Sequence, residues 1–476
     1  MTTAGHGGRV HPTRDDPVVA ALSEVVGGPA GTRAGRHRWW TPVRVVLALA
    51  AVCLALGMVQ KSSCYADSWQ DGQARYAHMC YSDLPYLYTG RGFVELNWPY
   101  TGDPQVRARY ETMEYPVGIS YWAWGTAWVT HWLSGSPDLE PRYGRSVQYL
   151  DSQPRIIAES RLFVVVNAVG LAAAGILAAW FLARVDRRRP WDAAVYALSP
   201  ALALTALVNW DLLAVALTAG ALWAWSRDRP VLTGVLIGLG TATKLYPLFL
   251  LGGLVVICVR RGRWRTLAVA TLAAAGAWLL ANLPAMLSGL DQWKVFWTFN
   301  SRRGADLGSV WLVISQASGA TISPHTINVV SWLFFGLWCL GVLVVGLLAP
   351  ATPRLAQLGF LIVAGFLLVN KVYSPQYVLW LLPLAALARP RWRDQIVWQS
   401  GEVLYFAAVW WYLGKYLEPA AGGDSGFYWV AIGLRMAAEL YLVAFVLRDV
   451  LVPEKDPARP PGWSRPPRGQ ASLALS

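Results

Sequence analysis

The chain has 476 residues, 55% of them hydrophobic and only 14% charged, with a net charge of +13 and a mean hydropathy of +0.35. That balance excludes an ordinary soluble enzyme and describes an all-α polytopic membrane protein, because backbone groups in lipid must be bonded within helices. It excludes a nucleic-acid binder as well: the arginines sit in tails and in short segments between apolar runs, and no basic run is interleaved with aromatics.

Residues 1–42 are rich in Gly, Pro, Arg and Thr and are expected to form a disordered cytoplasmic tail with no cleavable signal. The first apolar run, 43–60, follows Arg36 and Arg38 and contains Arg44, so its start is expected on the cytoplasmic side. A polar, aromatic loop then covers 61–160, on the opposite side. Cys64 and Cys80 stand sixteen residues apart in it, and on an oxidising side they are expected to form a disulfide. Cys53, Cys258 and Cys339 lie in apolar segments and read as packing residues; no zinc-type Cys or His spacing is present. Of the loop carboxylates, Asp67, Asp71, Glu95, Asp103, Glu111 and Glu114 read as solvated. Asp83 differs, because it lies between Tyr81 and Tyr86/Tyr88 in a locally apolar run. A single carboxylate there suits a general base. The segment Tyr115–Leu133 is apolar, but Tyr121, Trp124, Trp128 and Trp132 recur on one helical face. It is expected to be a helix at the membrane interface within the loop, not a crossing.

The remaining apolar runs complete twelve expected crossings: 43–60, 161–183, 191–208, 211–225, 231–243, 246–260, 266–283, 327–349, 355–371, 374–389, 395–416 and 427–447. This parity puts every later arginine cluster and both termini in the cytoplasm: Arg184 with Arg187–Arg189, Arg227 with Arg229, Arg260–Arg265, Arg354, and Arg389–Arg393. The membrane domain is 43–451. A second outer loop covers 284–326, and 452–476 is a further disordered tail.

Two pairs of short crossings meet at outward polar tips, Asn209-Trp210-Asp211 and Lys244-Leu245-Tyr246-Pro247. Spans of that length rise only about 20 Å, so the tips are expected to floor a cavity beneath the large loop. Lys244 at membrane depth is a functional candidate, with Asp211 or a lipid phosphate as its anion. Arg302, Arg303, His325 and Lys371 fall on the same side, against the positive-inside bias, and a phosphate-binding floor accounts for the cations. No Walker loop, GxSxG, HExxH or paired hydrolase carboxylates occur.

The order of these pieces resembles the GT-C superfamily of membrane glycosyltransferases, and within it family 87, the polyprenol-phosphate-mannose-dependent mannosyltransferase type. The matching pieces are Asp83-Leu84-Pro85-Tyr86, Tyr115-Pro116-Val117, Gly238 through Pro247, and Ser374-Pro375-Gln376-Tyr377 with Trp380 and Pro383; the family's second proline after Tyr-Pro is Val117 here. The resemblance covers about 43–390. It implies an inverting transfer in the cell membrane, on its extracytoplasmic face, of mannose or arabinofuranose from a polyprenyl-monophosphate donor to a glycan or glycolipid acceptor. On that footing Asp83 is the catalytic base, and Lys244, Arg302, Arg303 and Lys371 meet the donor phosphate. Tyr86, Tyr88, Tyr115, Asn209, Asp211, His325 and Gln376 contact substrate. No cofactor is required; a divalent cation held by Asp67, Asp71 and Asp83 is the alternative. The rival reading is a lipid-linked sugar flippase or transporter, which needs no catalytic loop carboxylate.

Overall fold

The computed structural model describes residues 16–26, 38–417 and 425–459, and within them the regular structure is helical, with no strand. Five helices are long and apolar enough to cross a membrane: Pro42–Gln60, Pro154–Val185, Trp264–Ser288, Pro324–Leu348 and Gly426–Leu451. Shorter apolar helices, among them Asp211–Ser226, Pro230–Thr243 and Leu355–Val369, pack between them. The protein is a polytopic membrane protein. Its tightest helix pairing sets Gly234 and Gly238 of Pro230–Thr243 against the Ala270 and Ala274 carbonyls of Trp264–Ser288, where a β-carbon would have no room. Small residues at four-residue spacing let two backbones touch in this way.

The expected crossing at 191–208 is not one helix. It runs as a 3-10 turn, Pro190–Ala193, then Ala194–Ala197, then Pro200–Thr205. Pro200 has no amide hydrogen to continue the ladder, and the Ser199 hydroxyl instead starts a new helix by accepting from Leu202 N at 3.2 Å. The helix expected at 161 begins at Pro154. The second loop also holds more structure than its sequence suggests, with helices Leu290–Arg302 and Val310–Ser318. Both segments expected to be disordered tails hold helical turns, Pro17–Val26 and Pro453–Lys455. Helix Pro17–Val26 starts at Asp16, whose carboxylate accepts from Val18 N (3.0 Å) and from Trp392 N (3.1 Å), so it caps two helices. Asp456 accepts from Arg354 at 2.9 Å. The other expected tail residues lie outside the described ones.

The arginine clusters gather at one end of the bundle. Arg227 donates to Arg184 O, Arg263 pairs with Asp228 (2.5 Å), Arg260 donates to Gly346 O and Ala349 O (both 2.8 Å), and Arg354 to Ala388 O (2.8 Å). The described parts of both tails join that end. The large loop and the polar tips occupy the other end, where Asp83 N donates to Val208 O at 2.8 Å.

Of the loop acids expected to be solvated, Asp71, Asp103 and Glu111 are exposed, while Glu95 is buried and Glu114 half-buried in ion pairs that hold the loop. Glu95, only 4% exposed, pairs with Arg109 at 2.6 Å, and Glu114 pairs with Arg91 at 2.8 Å. Arg142 reaches Glu159 of helix Pro154–Val185 at 2.7 Å and clips the loop to the bundle. The segment expected to be a helix from Tyr115 is helical over Val117–Leu133 and lies against Pro154–Val185, with Trp122 Nε1 donating to Asn167 Oδ1 at 3.1 Å. Trp124 is tied to Leu96 O (3.0 Å), while Trp128 and Trp132 stay exposed.

Cys64 and Cys80 are joined in a disulfide. Their separation of sixteen residues closes a loop worth about 3 kcal/mol in chain entropy. The double change C64S/C80S is therefore expected to cost about 2–3 kcal/mol of local stability. Limited proteolysis of the folded protein reads this directly: cleavage within 62–80 should become much faster. An unchanged cleavage rate would mean that the neighbouring hydrogen bonds hold the loop without the bridge.

Candidate active site

One cavity of about 600 Å³ opens between the large loop and the polar tips. Asp83 stands on its wall as the first residue of the short helix Asp83–Gly90. Ser82 caps that helix by accepting from Leu84 N at 3.3 Å, and the bond to Val208 O anchors it to the bundle. The Tyr115 hydroxyl donates to Asp83 Oδ2 at 2.7 Å, and the Tyr81 hydroxyl also faces the carboxylate. Burial raises the Asp83 pKa above the usual carboxylate range, and the two hydroxyls and Lys244 pull against that rise. Burial and the Asp83 charge push the Tyr115 hydroxyl well up, so it keeps its proton and remains the donor.

Lys244 lies on the other side of Tyr115, its ammonium 4.6 Å from the ring centroid. Its position follows from the sequence. Helix Pro230–Thr243 ends at Lys244, whose backbone is extended, and a 3-10 turn, Tyr246–Phe249, follows with Pro247 in its first positions. Lys244 Nζ pairs with Asp211 Oδ1 at 2.8 Å, both side chains buried. Of the two anions expected for Lys244, the structure holds Asp211.

Arg303 and Lys371 line the cavity with Asn300, Asn328 and Asn370. The two segments that carry them are stitched together by Asp306 N to Lys371 O (2.9 Å) and Tyr373 N to Leu307 O (2.8 Å). Arg303 Nε donates to Asp306 Oδ2 at 2.8 Å, and Lys371 Nζ donates to Asn300 O and Asn328 Oδ1. From these cations an aromatic limb runs outward through Trp297, Phe299, Trp332, Phe335 and Phe366, with Trp332 57% exposed. On the side nearer the disulfide loop, Tyr76, Tyr81 and Trp410 form a second aromatic wall, with Tyr81 and Trp410 rings 5.1 Å apart.

The cavity thus brings together Asp83, Tyr115, Asn209, Lys244, Arg303, Lys371 and Gln376 from the sequence reading. Other expected residues do not line it. Arg302, one residue along the helix from Arg303's side of the turn, is exposed, as is His325 near the start of its helix. Tyr88 points into the bundle and donates to Glu159 at 3.2 Å, and Tyr86 stacks behind Tyr81 at 5.6 Å. Asp211 sits behind Lys244. Asp67 and Asp71 accept from backbone amides of their own turns, and no group of three His, Cys, Asp or Glu able to hold a metal forms among the described residues.

Trp410, Trp332 and Asn328 line the cavity without having stood out in the sequence, since an aromatic or amide in an apolar run carries no signal of which way it faces. The sequence reading also missed Lys61. There a signal existed: a lysine ending the first span on the loop side breaks the positive-inside bias as Lys371 does.

No curated protein matches the chain. Residues 153–370 match the model of Glycosyltransferase family 87, a stretch that includes Lys244 and Arg303 but not Asp83, Tyr115 or Lys371.

Proposed function

We propose, from the premise that residues 153–370 form a Glycosyltransferase family 87 domain of the GT-C membrane glycosyltransferases, that this enzyme moves mannose or arabinofuranose from a polyprenyl monophosphate to a glycan or glycolipid acceptor, with inversion. The observation that carries the reading is the mixed polarity of the cavity above the polar tips. Arg303 and Lys371 line it together with an aromatic limb that includes the exposed Trp332, and Asp83 lines it together with the rings of Tyr76, Tyr81 and Trp410.

The chemistry follows from that polarity. The polyprenyl chain lies along Trp332, Phe335 and Phe366, and the phosphate rests against Arg303 and Lys371. Asp83 takes the proton of the acceptor hydroxyl as its oxygen bonds to the anomeric carbon. The bond from that carbon to the phosphate oxygen breaks, and polyprenyl phosphate leaves with the electron pair, stabilised by the cations. Tyr76 and Trp410 offer ring faces to the acceptor sugar. Inversion requires Asp83 and the cations to act on opposite faces of the anomeric carbon. Fixed cations suffice to neutralise a monophosphate, so no metal or other cofactor is needed. The positive-inside bias supports an extracytoplasmic site and cytoplasmic termini, because the arginine clusters share the end opposite the cavity.

The test is product mass analysis after incubating the purified chain with defined polyprenyl-phosphate mannose and polyprenyl-phosphate arabinofuranose in acceptor-containing membranes. Transfer from one of them is expected. R303Q should raise the donor KM by about tenfold, the loss of one charge-assisted phosphate contact, with a smaller change in acceptor KM. Movement of the lipid donor between leaflets with no sugar transferred would replace this reading with the flippase.

A further inference from the structure

Lys61 follows the last turn of the first long helix, Pro42–Gln60, and is 1% exposed. It does not line the cavity. Its ammonium donates to the Tyr81 carbonyl at 2.8 Å, two residues before Asp83. The neighbouring Gln60 side chain donates to Met79 O at 2.6 Å, and the Cys64–Cys80 bridge ties the same stretch. The 79–83 segment is therefore held from the first helix on one side and from Val208 O on the other. An ammonium is strongly hydrated, and burying one beneath a backbone carbonyl is costly unless a charge answers it. The charge that acts on it is Asp83.

We propose that Lys61 is a positioning residue for Asp83: its ammonium fixes the Tyr81–Asp83 backbone, and its charge favours the ionised carboxylate without touching substrate. The proposal rests on the reading of Asp83 as the base. The groups facing Asp83 are the Tyr81 and Tyr115 hydroxyls, Lys244 and Glu114. Those facing Lys61 are the Tyr81 carbonyl and Asp83. Burial brings the Lys61 pKa down to about 7, with Asp83 opposing the fall, while burial lifts Asp83 from below. Activity rises as Asp83 loses its proton, and the Lys61 charge sets where that acid limb falls.

The experiment is kcat/KM against pH for the full chain, K61M and K61R, with labelled polyprenyl-phosphate sugar as the probe donor. In K61M the acid limb should move up by about one pH unit. K61R keeps its charge throughout. Its acid limb should stay in place. Donor KM should hold within about twofold in both, since Lys61 lies outside the cavity. A K61M profile with an unmoved acid limb and a uniformly lower rate would overturn the proposal, leaving Lys61 a structural tether only. If K61M does not fold, K61R decides: an acid limb that moves up by a full unit despite the retained charge overturns it. Failure of the underlying reading looks different, because then D83N would still transfer sugar.

Discussion

Asp83→Asn is expected to lower sugar transfer by about 10³-fold while donor binding stays near the wild-type level, the size of effect general-base removal produces. Asparagine keeps the shape of the side chain and can still accept from the Tyr115 hydroxyl, now 2.7 Å away. It cannot take a proton from an acceptor. The loss should therefore fall on kcat, with donor KM little changed. A pH profile provides a second check. Burial raises the Asp83 pKa, so its basic form is lost as pH falls through a value above the ordinary aspartate range of about 4. The acid limb of wild-type kcat/KM should lie above that range and should disappear in the residual activity of D83N. Wild-type rates from D83N would end the assignment, and Glu114, the other carboxylate on the cavity wall, would become the candidate.

Lys244→Met should give the largest loss of stability of any single change at the site. Asp211 is fully buried and Lys244 is 7% exposed, so removing the ammonium strands a carboxylate away from water. Breaking one partner of such a pair costs about 3–5 kcal/mol. In detergent-solubilised protein this is read as a marked fall in melting temperature. The double change K244M/D211N removes the stranded charge as well and should recover much of the loss. Transfer should remain low in the double variant, because Lys244 also pulls the Asp83 carboxylate toward its ionised form and stands on the cavity wall. A K244M protein that melts with the wild type would show that the pair is not what holds the two tips together. Full activity in the double variant would reduce Lys244 to a structural role.

Lys244 and Asp211 also illustrate how far the sequence could be read. Both stood out as ionisable residues at apolar-segment ends, and the tips that carry them were legible from Asn209, Trp210 and Pro247 alone. That they meet each other was one of two options, and only packing of Asp211–Ser226 against Pro230–Thr243 chose between them. Cys64 and Cys80 were legible as a pair from spacing and loop context, and the structure joins them. Arg302 and Arg303 were indistinguishable in sequence. The helix ends at Arg302, Arg303 leaves it in extended geometry to meet Asp306, and only Arg303 lines the cavity. Tyr86 and Tyr88 looked like sugar-stacking rings, yet a short helix turns Tyr88 toward Glu159.

The sequence by itself determined the membrane class, the helical segments, the grouping of arginines at one end and the distinctive setting of Asp83. These depend on hydropathy, charge placement and local turn chemistry, all of which act over a few neighbouring residues. Tertiary structure alone decided which side chains share the cavity, that Glu95 and Glu159 are buried in ion pairs, and that Lys61 lies behind Asp83. Those outcomes join residues far apart in the chain, and they turn on which face of each helix packs inward. With apolar residues all around a membrane helix, periodicity leaves that face unmarked.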